Sequence, residues 1–348
     1  MASNRSFVFA LSLLSLAALA LTLLSPAAHA QSDYHVVDRW TIGGEGGWDY
    51  LLADGPAHRL YATHNARVEV IDTSSGKVIG AVTALKSTHG VALDPDGKTG
   101  YISDGAGNAV VVFDRSSLAV LASIPAGTNP DGIIYEPVTK TVWAFNGRSH
   151  NVTIVDTASR SVAATVAVPG KPEFPVADGR GNVYVNIEDK NEIARFDAKT
   201  HAQLAVWPLT GCDSPSGLAF DPAGRRLFSV CDGGKMIVTS ADTGKVLALP
   251  PIGDGPDAAA YDAEHKLAFS SNGQSGNLTV VDASKPDYPV LQTATTERGA
   301  RTMALDPVSG RIYLATAKFG PAPAPTPEHP RTRPSILPGS FTILVVSR

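Results

Sequence analysis

From Trp48 onward, short apolar runs alternate with polar, glycine-rich punctuation, and the whole pattern returns about every 42 residues. An acidic residue closes one such run in each turn of the repeat. These are Asp54, Asp94, Glu136, Asp178, Asp221, Asp262 and Asp306, at spacings of 40, 42, 42, 43, 41 and 44. A second series closes another run: Asp72, Asp114, Asp156, Asp197, Ser240 and Asp282. Thr88 to Gly127 serves as a sample unit. Gly90-Val91-Ala92-Leu93 reads as a small-residue strand, and Asp94-Pro95-Asp96-Gly97 as a tight turn. Thr99 to Ser103, Ala109 to Phe113 and Leu118 to Ile124 supply three further strands, separated by Gly- and Ser-containing connections. A fixed period of this size, with four strands per unit, predicts an all-β fold, a β-propeller of four-stranded antiparallel blades.

Six units are complete. The seventh has strand patterns at Thr302 to Leu305, Ile312 to Ala315 and Phe341 to Val346, and lacks a fourth. In inner repeats an apolar residue stands seven positions before the start of the next first strand, as Val82 does before His89 and Ile124 before Asp131. Ile42 stands seven before Asp49, so Tyr34 to Ile42 is expected to be the outer strand of the last blade. That closes a seven-bladed ring as a single domain over residues 31–348 and leaves no long exposed edge.

The Pro-x-Gly-type strand starts (Asn129-Pro130-Asp131-Gly132, Ser214-Pro215-Ser216-Gly217), the Asp-Pro turns and the Val-x-Val-Ile-Asp strands with Gly-Lys turns resemble the YncE-like, YVTN-repeat propellers exported by bacteria. The resemblance covers essentially the whole chain after the first thirty residues. It implies the seven-bladed fold and an exported location. Single-stranded DNA binding is associated with part of that family, and no functional residue of the family maps onto this chain. A fold of this kind does not by itself define an activity.

Residues 1–30 follow a different rule. Arg5, an apolar stretch from Phe7 to Leu24, and Ala28-His29-Ala30 read as a secretory signal peptide cut after Ala30. The expected product is periplasmic or secreted, without a membrane span and monomeric. Removing Arg5 would leave 28 basic against 33 acidic side chains, a balance of −5. Such a chain has no general electrostatic attraction for nucleic acid or anionic membrane.

In a propeller each first strand starts on the face where each second strand ends. Counting back five from the acidic markers gives Asp49, His89, Asp131, Glu173, Ser216, Asp257 and Arg301 around the channel mouth. Second-strand ends are expected to add His64, Asn65, Asp104, Asn146, Arg148, His150, Glu188, Asp189, Asp232, Asn272 and Lys318. Of these, His64, Asn146, Arg148, Glu188 and Asn272 join the ring as candidate ligand-binding residues. Four carboxylates held close cannot all ionise unless Arg301, a bound cation or a cationic ligand neutralises them. Mixed Asp, Glu and Asn oxygens would suit Ca²⁺ or Mg²⁺, and His89 and His64 leave a transition metal open although no tight His/Cys spacing supports one. Polar residues at strand starts also cap exposed backbone, and that explanation competes at any single position.

Three features lie outside the repeat logic. Gly320 to Ser340 carries seven prolines and reads either as a lid, bringing His329, Arg331 and Arg333 over the channel, or as a plain insertion along one blade. Cys212 and Cys231 lie at two strand ends that antiparallel pairing brings together, which predicts a disulfide in an oxidising compartment rather than a reactive thiol. Trp48 beside Asp49 suits either stacking on a ligand ring or burial between blades. No haem-attachment, zinc-protease, nucleophile-elbow or phosphate-loop motif occurs. The expectation is a non-catalytic binding propeller presenting its mouth to a small polar ligand or a periplasmic partner protein. The alternatives are a metal-dependent lactonase-type hydrolase and an accessory subunit of a periplasmic oxidoreductase.

Overall fold

The structure, a computed structural model, describes residues 1–2, 33–324 and 334–348. The chain divides into two units, of which the second, Asp33–Arg348, carries all the sheets. The signal-peptide expectation therefore falls on residues outside those described, apart from the first two. So do His329, Arg331 and Arg333.

The second unit consists of seven four-stranded sheets. The innermost strands of blades 1 to 7 are Trp48–Asp54, Thr88–Leu93, Pro130–Glu136, Pro172–Ala177, Pro215–Asp221, Pro256–Asp262 and Thr302–Leu305. Each blade runs outward by antiparallel pairing of consecutive strands. The exception is the last, where His35–Thr41 pairs antiparallel with Thr342–Ser347 and supplies the outer strand. That register sets Arg39 opposite Leu344 and Thr41 opposite Thr342. The strand from near the N-terminus thus closes the ring, as the seven-residue offset of Ile42 from Asp49 predicts. Among the described residues there is no α-helix, and none long and apolar enough to cross a membrane.

The acidic markers that reveal the repeat owe their spacing to turns. Asp72 accepts backbone N–H bonds from Ser74 and Ser75, Asp114 from Ser116 and Ser117, and Asp197 from Lys199 and Thr200. The first series does the same, with Glu136 bonded to the N–H groups of Val138 and Thr139 and Asp221 to those of Ala223 and Gly224. A carboxylate two residues before a backbone donor closes a hairpin turn from within. Hydrogen bonds from Ser116 and Ser117 hold the Asp114 carboxyl well below the usual range. Asp54 departs from the pattern and pairs instead with Arg115 of the next blade.

Between neighbouring blades lie apolar layers, each built mainly from second and third strands. Blades 1 and 2 share Tyr61, Val68, Val70, Ile102, Val111 and Phe113, and the aromatic ring recurs at the equivalent site as Tyr101, Trp143, Tyr184, Phe228 and Tyr313. Outer strands are half-exposed and carry only scattered apolar side chains such as Ile79 and Leu121. Cys212 and Cys231 form a disulfide with a Cα–Cα separation of 5.5 Å, tying the approach to blade 5 to the end of its second strand.

Convergence of the inner strands leaves no room for side chains at certain points. A Cβ on Gly217 would lie 2.6 Å from the backbone of both Ala258 and Ala259 in the next blade, and one on Gly132 would lie 2.4 Å from the Glu173 carbonyl. Backbone cannot yield as a side chain can. Gly217→Ala should therefore destabilise the propeller by ~1–3 kcal/mol through overpacking, read as a melting temperature lower by several degrees. An unchanged melting temperature would contradict this account of the convergence.

Candidate functional site

Six of the seven innermost strands share a local defect that shapes the mouth. The antiparallel register with the second strand slips just after the strand begins, between Trp48 and Leu51, Thr88 and Val91, Pro130 and Ile133, Pro172 and Pro175, Pro215 and Leu218, and Pro256 and Ala258. A bulge frees the next side chain from the ladder and re-aims it. Its position explains why Asp49, His89, Asp131, Glu173, Ser216 and Asp257 can all turn toward the axis. Arg301 holds the corresponding place just before the seventh strand.

Asp49, Asp131, Glu173, Asp257 and Arg301 line a cavity of about 1360 Å³, whereas His89 and Ser216 stand behind its wall. The His89 Nδ1 lies 2.6 Å from Asp49 Oδ2 and 3.6 Å from Asp131 Oδ1. Lys171 Nζ lies 2.6 Å from Glu173 Oε1 and also pairs with Glu188. Arg301 donates from Nε to Asp257 Oδ2 at 2.7 Å and from Nη2 to the Trp48 carbonyl at 3.3 Å. Ser216 donates its hydroxyl to the Pro256 carbonyl and bridges blades 5 and 6.

A floor lies across the axis. Tyr50 of blade 1 lines the cavity and meets Phe174 of blade 4 edge-on, with ring centroids 5.0 Å apart. Blades 1 and 4 are not neighbours in the ring, so this contact must cross the channel. Burial, followed by Asp131, Glu173, Asp49 and Asp257, pushes the Tyr50 phenol well above its usual range. The charges of the same four carboxyl groups thus act on its phenol, and the Tyr50–Phe174 contact makes the mouth a cup rather than an open tunnel.

The cup holds more carboxyl groups than cations. Asp49, Asp131, Glu173, Glu188, Asp232, Asp257 and Glu297 line it, against Lys171, Arg298, Arg301 and Lys318. Burial and then the Asp49 carboxylate push Asp131 up to about 7, with His89 and Lys171 opposing. Burial and Asp131 push Glu173 well above the ordinary range, and burial carries Asp257 up to about 6 despite Arg301. Burial alone would lower His89, but the Asp49 hydrogen bond and the Asp131 charge outweigh it and raise the imidazole to about 9. Each of these side chains keeps some contact with water, 13% exposed for Asp131 and 29% for Asp257. The shifts therefore come from depth in a crowded acidic well rather than from sealing.

Not every expected side chain reaches this well. Asn146 and Asn272 are fully buried and brace their own hairpins, the first donating to Asn151 and Thr153, the second to Asn277 and Thr279. His64 is buried against Phe341, with stacked rings 4.2 Å apart and neither nitrogen hydrogen-bonded to another described residue. Arg148 is exposed and does not line the cavity. Of the second-strand ends, Glu188, Asp232 and Lys318 do line it. Asp104 and Asp189 accept backbone N–H bonds instead, Asp189 from Lys171 itself, which fixes the loop carrying that lysine. Trp48 is buried and packs on Phe319 and Phe341, so burial, not open stacking, describes it. Lys171, Tyr50 and Phe174 belong to the site without having been expected there. The signal for the two aromatics was a bulky ring directly after a strand start, where other blades carry Gly90, Gly132, Gly217 or Ala258.

No family model and no curated protein matches this chain. Among solved structures it is similar to one of Kuenenia stuttgartiensis hydrazine synthase, with TM-score 0.69 and 16% identity over 83% of this chain and 95% of that one. Structures of U3-55K and of the RRP9 WD40 repeats match with TM-score 0.73 and 12% identity, over 90% of this chain and 98% of theirs. At these identities the likeness defines the class, a seven-bladed β-propeller, and nothing about chemistry.

The raised carboxyl values have a consequence for stability. A group whose folded pKa lies above its unfolded value favours the fold at low pH and loses that advantage as pH rises through the folded pKa. For Asp131 the window runs from about 4 to about 7. Asn at this position mimics the protonated acid. Relative to the parent, Asp131→Asn should gain stability across that window, reaching on the order of 2–4 kcal/mol, and then level off. Denaturant unfolding at pH 4, 5.5 and 7.5 measures it, and a difference independent of pH would contradict the assignment.

Proposed function

We propose that the protein is an exported, non-catalytic binding propeller whose mouth receives a small polar ligand bearing positive charge. The observation that carries this reading is the excess of carboxyl groups over basic groups in the cup. A cation entering it would take over the neutralising role that protons now share with Lys171, Arg301 and His89. Phosphate-bearing ligands would meet the same carboxylates unfavourably, which speaks against nucleic acid. Export is supported by the character of residues 1–30, by the Cys212–Cys231 disulfide and by the resemblance to YncE-like propellers.

One observation favours a second reading. Asp49, His89 and Asp131 offer ligand atoms that all lie within 4.8 Å of one another. Two carboxylates and an imidazole suit a transition metal better than Ca²⁺ or Mg²⁺, which prefer six or more oxygens. A metal there would support lactonase-type hydrolysis by polarising a carbonyl. His89 already spends its Nδ1 on Asp49, and for that reason the cationic-ligand reading ranks first.

Calorimetric titration at low salt separates the readings. Putrescine is expected to bind saturably, acetate not at all, and the double variant Glu173→Gln/Asp257→Asn to lose at least tenfold in affinity. Equal binding of putrescine and acetate, or amine binding that the double variant leaves intact, would overturn the proposal. Lactone turnover abolished by a chelator would put the metal reading in its place.

A further inference from the structure

The two sides of the cup differ in chemistry. Five of the seven lining carboxyl groups, Asp131, Glu173, Glu188, Asp232 and Asp257, come from blades 3 to 6, while the other two, Asp49 of blade 1 and Glu297 before blade 7, are already paired with His89 and Arg39. The facing side, from blade 7 with a contribution from blade 1, is lined by Trp48, Phe319, Ile336 and Leu337. That apolar wall is the work of the insertion in the last blade. The second and third strands of blade 1 are joined by residues 65–66 alone, whereas in blade 7 residues 317–341 separate them.

The described ends of the insertion are pinned rather than draped. Phe319 and Ile336 form an antiparallel bridge, the Gly320 N–H donates to the Ser335 carbonyl at 2.8 Å, and the Leu337 N–H donates to Lys318 at 2.9 Å. The Gly339 N–H reaches across to Gly44 at 2.8 Å. Space for the Phe319 ring is kept open by Gly299, where a Cβ would lie 2.5 Å from Phe319 Cε2. Leu337 is nonetheless 42% exposed on this wall. Apolar surface fixed at the lip of a charged cup gains nothing in the free protein, and a concave site lined in this way is the ordinary form of a small-molecule pocket. The basic groups Arg298 and Lys318 lie on the apolar side and would repel a cationic head toward the carboxylates opposite.

Resting on the cationic-ligand reading above, we infer that the ligand is an amphipathic amine. Its ammonium group faces the carboxyl groups of blades 3 to 6, and its aryl or alkyl body packs on Phe319, Ile336 and Leu337. The insertion selects the body, and the ring selects the charge.

Three probes divide these roles: phenethylamine, ethylamine and phenethyl alcohol, titrated calorimetrically against the full chain and against Leu337→Ser. Phenethylamine should bind at least tenfold more tightly than ethylamine, because only it buries an apolar body. Phenethyl alcohol should show no saturable binding. Leu337→Ser, an exposed substitution that leaves thermal unfolding unchanged, should weaken phenethylamine about fivefold and leave ethylamine untouched. If the two amines bind equally, or Leu337→Ser weakens both alike, the body-selecting wall is refuted while the cationic-ligand reading survives. If neither amine binds, or the alcohol binds as tightly as phenethylamine, both ideas fall.

Discussion

Seven inner strands must pack side by side around one axis, and that single constraint generates the rest of the molecule. At Gly132 and Gly217 the neighbouring backbone comes so near that even a methyl group would collide with it. Convergence this tight forces the strand starts to face one another, whatever residues occupy them. Here those residues are Asp49, His89, Asp131, Glu173, Ser216, Asp257 and Arg301, so the fold itself concentrates charge that water would otherwise keep apart. Closure matters equally. His35–Thr41 completes the last blade, and through it the ring that holds the carboxyl groups together.

The electrostatic consequences follow from crowding rather than from any one pair. Lys171 and Arg301 each neutralise nearby acids, and His89 is shared between two. Acids still outnumber bases, and burial with mutual repulsion lifts Asp131, Glu173 and Asp257 together. A well of this kind is poised to exchange protons for a positively charged guest. For the guest proposed above, Tyr50 and Phe174 would bar passage into the channel, and the pinned ends of the last-blade insertion would offer an apolar surface.

The fold was legible in the sequence because its markers are local. Asp72, Asp114 and Asp197 close turns within three residues of themselves, so their recurrence reports the blade period directly. Ser240 keeps the place in a weaker form, accepting from the Thr243 N–H at 3.3 Å. The ring was legible because the same bulge recurs at the same offset in six blades. The second-strand ends were not. His64, Asn146 and Asn272 pair directly with Trp48, Pro130 and Pro256 in the ladder, and their side chains turn into the blades rather than toward the axis. Lys171 depends on a loop held by Asp189, and Tyr50 on a partner across the axis 124 positions further along the chain. The lysine leaves no trace in the local pattern, and the two rings show only as bulky residues at a position where other blades carry Gly or Ala, with nothing to pair them.

At the centre of the molecule lie carboxyl groups whose affinity for protons is raised by crowding. The direct measurement is an NMR titration of the side-chain carboxyl carbons of Asp and Glu, assigned through single Asn and Gln variants. Asp131 should titrate at about 7, Asp257 at about 6, and Glu173 well above the ordinary glutamate range. Titration of all three below about 5, in the range of exposed carboxylates, would contradict the account at its centre.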